Sequence, residues 1–156
     1  MKKYAIWFAL FWLGGCTPGA YHTKIDYGDF TPRTLAAKSW AALDHRHTEG
    51  VWAYTGKCLE LYAQAGRVVN AMPPDVLTVA HKESELLSNV AQCFLVRGEA
   101  LFQQKDYNRA RWYFQAILHY YDKSEVRDAS VWKPSEFARQ RLLEIDRVKE
   151  QTEKAE

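Results

Sequence analysis

The stretch that decides the fold is Gly98-Glu99-Ala100-Leu101-Phe102-Gln103-Gln104-Lys105-Asp106-Tyr107-Asn108-Arg109-Ala110-Arg111-Trp112-Tyr113-Phe114-Gln115-Ala116-Ile117-Leu118. Tyr107, Ala110, Phe114, Ile117, Leu118 and Tyr121 recur at the 3.6-residue period of an amphipathic helix. Lys105-Asp106 reads as a turn, with Asp106 as the N-cap whose carboxylate takes up a free amide of the first turn. Upstream, Val76, Val79, Leu86, Leu87, Val90, Phe94, Leu95 and Ala100 carry a helical pattern from Asp75 to Gln104, ~45 Å long if unbroken, with a break expected near Lys82-Glu83-Ser84. Two helices joined by a tight polar turn are therefore the unit to look for elsewhere in the chain.

A second pair precedes it. Thr31-Pro32 opens a helix with Thr as N-cap and Pro at the first helical position, where its missing N–H costs nothing. Leu35, Ala36, Ser39, Trp40, Ala42 and Leu43 carry that helix to about His45. After the short turn Arg46-His47-Thr48, the face Val51, Trp52, Thr55, Cys58, Leu59, Tyr62 and Ala65 predicts a helix to Val69, ended by Pro73-Pro74. Downstream, Asp122–Lys133 reads as a polar loop. Pro134 then opens a further helix carrying Phe137, Leu142 and Ile145, followed by a charged tail from about residue 149 that is expected to fray. Apolar–polar alternation never persists, so the chain reads as all-α, with about five helices and no strand.

The two pairs align. Ser39, Val51, Thr55 and Cys58-Leu59 stand in the order of Gly98, Ala110, Phe114 and Ile117-Leu118. A small residue on each helix lets two antiparallel helices approach, and Gly98 and Ala110 are expected to meet at that crossing. On these residues the chain resembles the tetratricopeptide repeat (TPR). Gly98 stands at the family's first-helix small residue, Asp106-Tyr107-Asn108-Arg109-Ala110 at its turn and second-helix small residue, and Phe114 at its aromatic. Ser39, Val51 and Thr55 depart from that pattern, and the extra residues Ala63–Leu87 must lengthen the helices or add a hairpin. The resemblance covers roughly residues 32–121, with Pro134–Val148 as a capping helix. It implies a concave face formed by the first helix of each pair: Ala36, Trp40, Leu43 and Asp44, then Gln92, Leu95, Glu99 and Gln103. The Lys/Asn pattern that clamps a C-terminal carboxylate in some TPR adaptors is absent.

The N-terminus has its own signal. Lys2 and Lys3 precede the apolar run Tyr4–Leu13 and then Gly14-Gly15-Cys16, the layout of a secretory signal peptide whose apolar core is too short to span a bilayer. Leu13-Gly14-Gly15-Cys16 resembles the bacterial lipobox, which implies lipidation of Cys16 as the first mature residue; the other reading is an ordinary cut near Ala20. Thr17, rather than Asp, after the cysteine leans by the same resemblance towards the outer membrane, facing the periplasm. The expected organisation is thus a signal peptide over 1–15, a lipidated N-terminus and tether over 16–31, a helical domain over 32–148 and a charged tail over 149–156.

Two of the 21 basic residues, Lys2 and Lys3, leave with the signal, so 19 face 19 acidic residues and the mature chain is near neutral. Neutrality and export both argue against a nucleic-acid binder. No catalytic motif, phosphate loop or cofactor motif is legible. His45-x-His47, with Asp44, is the one metal-like spacing, and without a third placed ligand it reads as solvated turn histidines, so no metal is expected. Cys58 and Cys93 read as buried free thiols or, if their helices pack together, as a disulfide, which needs Cα atoms within roughly 7 Å.

The expectation is therefore a membrane-anchored adaptor that holds another envelope protein and is not itself an enzyme. A non-catalytic subunit or an envelope enzyme using the same cleft is the alternative. Trp40 is the expected hot spot of the concave face, since Trp dominates binding where it lines a groove, and its competing role is core packing.

Overall fold

The computed structural model describes residues 24–127 and 131–154; the expected signal peptide and lipidation site, Cys16, lie outside them. The order is α1 (Pro32–Asp44), α2 (Thr48–Asn70), α3 (Pro74–Val79), α4 (His81–Gln103), α5 (Tyr107–Tyr120), β1 (Val126–Arg127), β2 (Val131–Trp132) and α6 (Pro134–Glu153). The fold is all-α, with one small strand pair.

Local chemistry sets most boundaries. The Thr31 hydroxyl accepts the Thr34 amide at 3.2 Å, and the Asp106 carboxylate accepts that of Arg109 at 3.1 Å. Both pairs turn in one way. At the end of α1, Arg46 adopts a left-handed φ of 54°, and the amides of Arg46 and His47 return to the carbonyls of Leu43 and Ala42. At the end of α4, Lys105 does the same at φ 62°, with its amide and that of Asp106 returning to Phe102 and Leu101. These bonds satisfy carbonyls that the helix ends would leave free.

Arg33 pairs with Glu85 at 2.7 Å, and Trp40 bonds Gln92 at 3.1 Å. Both pairs are separated by 52 residues, so α1 and α4 run side by side and parallel. The pairs Arg111–Asp146 and Asn108–Lys149 step in opposite directions, so α6 runs antiparallel to α5. Thus α1, α4 and α6 form one layer, and α2 and α5 the other. The principal core lies around α4 and includes Leu87, Val90, Phe94, Leu95, Phe114, Ile117 and Tyr121.

In the first pair, buried Ser39 and Thr55 satisfy their hydroxyls on the carbonyls of Ala36 and Val51, at 2.7 and 2.6 Å. In the second, the nearest neighbour of Gly98 is not Ala110: a Cβ on Gly98 would stand 2.6 Å from the Phe114 ring. The missing side chain makes room for the aromatic, while Ala110 is itself fully buried. Cys58 on α2 and Cys93 on α4, both fully buried, are bonded, with Cα atoms 6.6 Å apart.

Three features differ from expectation, while the extra residues lengthen the helices as expected. The break in the long helical pattern falls at Ala80, before Lys82, and separates the short α3 from α4. The extra residues lengthen α2 and α4 to 23 residues each and supply α3. The polar loop contains an antiparallel ladder, Val126↔Trp132 and Arg127↔Val131, too short to show alternation in sequence. α6 continues to Glu153, held by Arg111–Asp146 and by Lys149 on Asn108 at 3.1 Å.

Residues 24–31 are not a loose tether. Asp26 pairs with Lys38 at 2.9 Å, Tyr27 packs on Phe30 and Tyr54, and the Phe30 carbonyl accepts the Tyr62 hydroxyl at 2.9 Å. This segment covers the outer flank of the first pair, as α6 covers the second.

Candidate functional site

The layer of α1 and α4 opens into a groove with Trp40 at its middle. Trp40 is only partly buried. Its Nε1 donates to Gln92 Oε1 at 3.1 Å, which fixes the indole across the helix interface. On one side lies a cavity of about 510 Å³, with Arg33, Ala36, Ala37, Ser84, Asn89 and Gln92 among its walls. On the other lies one of about 720 Å³, with Leu43, Asp44, Glu99, Ala100 and Gln103 among its walls. Trp40 lines both. Each volume falls in the range of ordinary ligand pockets, roughly 300–1,000 Å³.

Seven of the eight expected groove residues line these cavities: Ala36 and Gln92 the first, Leu43, Asp44, Glu99 and Gln103 the second, and Trp40 both. Leu95 does not. It is fully buried in the main core, because three steps along a helix from Gln92 turn a side chain about 60° off that stripe. Glu99 is on the groove wall, but its charge is taken. Arg141 of α6 grips both carboxylate oxygens, Nε to Oε1 at 2.7 Å and Nη2 to Oε2 at 2.9 Å. That contact, reinforced by Glu144, holds the Arg141 guanidinium more firmly protonated than a free arginine.

Sequence reasoning missed the polar start of α4 and the hairpin. His81, Ser84, Glu85, Ser88 and Asn89 face the first cavity, and Glu125, Val126 and Arg127 of the hairpin close its end. The Ser88 hydroxyl donates to the Glu125 carbonyl and ties hairpin to helix. Small polar residues three and four apart on an otherwise apolar helix were the available signal. The hairpin offered none. Glu125 is held below the usual carboxylate range, mainly by its bond from Arg127 and also by Lys133.

Charge within the groove is largely neutralised internally, through Arg33–Glu85, Glu99–Arg141 and Glu125 with Arg127 and Lys133. What remains to meet an occupant is the indole face, the carboxamides of Asn89, Gln92 and Gln103, and, on the second cavity, the charges of Asp44 and Arg46. These groups bind and orient by stacking and hydrogen bonding. His45 and His47 are exposed and flank a shallow cleft with Tyr54. Among the described residues no group of three or more metal-capable side chains converges, and no helix is long and apolar enough to cross a membrane. No protein-family model, curated protein or solved structure matches the chain.

Proposed function

We propose that this chain is a lipid-anchored adaptor of the bacterial cell envelope, a TPR-like lipoprotein that holds an extended segment of another envelope protein in the α1–α4 groove. The observation that carries the reading is Trp40, fixed by Gln92 and shared by two adjoining cavities. Trp in a partly desolvated groove is a common binding hot spot. The identical turns at Arg46 and Lys105, and Gly98 against Phe114, support the TPR-like part. The disulfide between Cys58 and Cys93 supports export, since such bonds persist in oxidising compartments. The lipobox-like Leu13-Gly14-Gly15-Cys16 supports the anchor, with the outer membrane as the proposed site.

Membrane fractionation and pull-down together test this. Cys16→Ser should move the protein from the membrane to the soluble fraction, and wild-type chain should retain one envelope protein from detergent-solubilised membranes. Tight membrane association of Cys16→Ser in high salt would remove Cys16 as the anchor. Failure to retain any envelope protein would remove the adaptor.

A further inference from the structure

The opposite face of the molecule carries a second, chemically different surface. Arg97 leaves α4 on the side away from the groove and enters the seam between α2 and α5. Its guanidinium carbon lies 4.9 Å from the Trp52 ring centroid and 5.6 Å from that of Tyr113. Its hydrogen bonds are long: 3.3 Å to the Trp52 carbonyl and 3.4 Å to the Tyr113 hydroxyl. Its Nε is buried without a partner. Further along the seam, Arg67 of α2 stands 4.2 Å over the Tyr120 ring. Neither arginine pairs with a carboxylate among the described residues. Helix α5 contains no Asp or Glu at all.

Tyr113 and Tyr120 are seven residues apart, so they share one stripe of α5 two turns, about 10 Å, apart. Beside Tyr113, Trp112 is 56% exposed, with ring centroids 4.8 Å apart. Arg, Trp and Tyr are the residues that dominate protein interfaces. A cation held between rings with weak internal hydrogen bonds retains donor capacity for a carboxylate, which matches its planar fork.

We propose that the α2–α5 seam is a docking surface for an acidic segment of a partner protein, which places carboxylates on Arg97 and Arg67. A protein segment fits better than a lipid surface, because Arg97 is recessed between two helices, where a flat bilayer does not reach.

The test uses the full chain in detergent at low ionic strength, where such pairs are least screened. One fluorescent peptide carries several Glu among Ser and Gly; a second carries Gln in place of every Glu. The first should bind, the second more weakly, and Arg97→Gln and Arg67→Gln should each weaken the first by ~10-fold or more. Arg67 is exposed, so its variant decides the matter if Arg97→Gln fails to fold by circular dichroism. No binding to wild type, or equal binding by a folded Arg→Gln variant, overturns the proposal. So does binding to phosphatidylglycerol vesicles in place of the peptide, which would make the seam a membrane surface.

Discussion

Arg46 and Lys105, 59 residues apart, occupy the same place in the same turn: each is the left-handed residue that follows the last turn of a helix and returns its amide three residues back. Val51 and Ala110, and Thr55 and Phe114, keep the same separation. The two helix pairs thus share one turn geometry and one residue separation, although few residues are common to them.

Neither Arg46 nor Lys105 is glycine, so each bears the steric cost of a left-handed backbone, roughly 1–2 kcal/mol, which glycine would relieve at an entropic cost of about 0.5–1 kcal/mol. Arg46→Gly and Lys105→Gly should each leave stability unchanged or raise it by up to ~1 kcal/mol, read as the denaturation midpoint. A clear loss in either would mean the side chain contributes more than its backbone costs.

The Cys58–Cys93 bond closes a loop of 35 residues between α2 and α4. Loop-closure entropy puts its contribution at ~3–4 kcal/mol. Stability of Cys58→Ala/Cys93→Ala should fall by about that amount in urea, with the native circular dichroism retained at zero denaturant. A change within experimental error would show that packing of α2 on α4 holds this junction without the bond.

Gly98→Ala drives a methyl into the Phe114 ring, and Ala110→Leu overfills a fully buried position. Each should cost ~1–3 kcal/mol. Thermal melting checks both, and an unchanged melting temperature for either places that residue away from the α4–α5 contact.

Glu125 is held below its ordinary value by Arg127 and Lys133, so its ionised form is favoured in the folded state. Its stabilising contribution is complete above the unfolded carboxylate value and disappears as pH falls through the lowered folded one. Glu125→Gln should therefore be less stable than wild type at neutral pH and equal to it in acid. A gap in melting temperature that stays constant with pH would show that the carboxylate charge is not what matters there.

What was legible in the sequence had local chemistry behind it. Thr31-Pro32, Asp106 and Pro134 announce helix starts, because caps and prolines act through their immediate neighbours. Ala80 carries no breaker signal, so the break before α4 lies a few residues ahead of the Lys82-Glu83-Ser84 stretch where the sequence suggests it. The hairpin strands are two residues long, too short for a periodic signal. The TPR resemblance, rather than helix face alone, assigns Trp40 and Gln103 to a groove, and both line it. Leu95 lies in the core rather than the groove, because a 60° difference in helical phase exchanges one for the other. The anchoring of residues 24–31 depends on Tyr27 and Phe30 finding Tyr54 and Tyr62 on another helix, a tertiary event with no local signature.

The most direct test of the adaptor reading is Trp40→Ala, with partner retention and thermal unfolding measured on the same preparation. Removing a groove hot spot should cost ~2 kcal/mol or more of binding, roughly thirtyfold in affinity, while the melting temperature changes little. A loss of ~3–5 kcal/mol in folding stability, with no separable loss of binding, would instead make Trp40 a core residue and contradict the groove assignment.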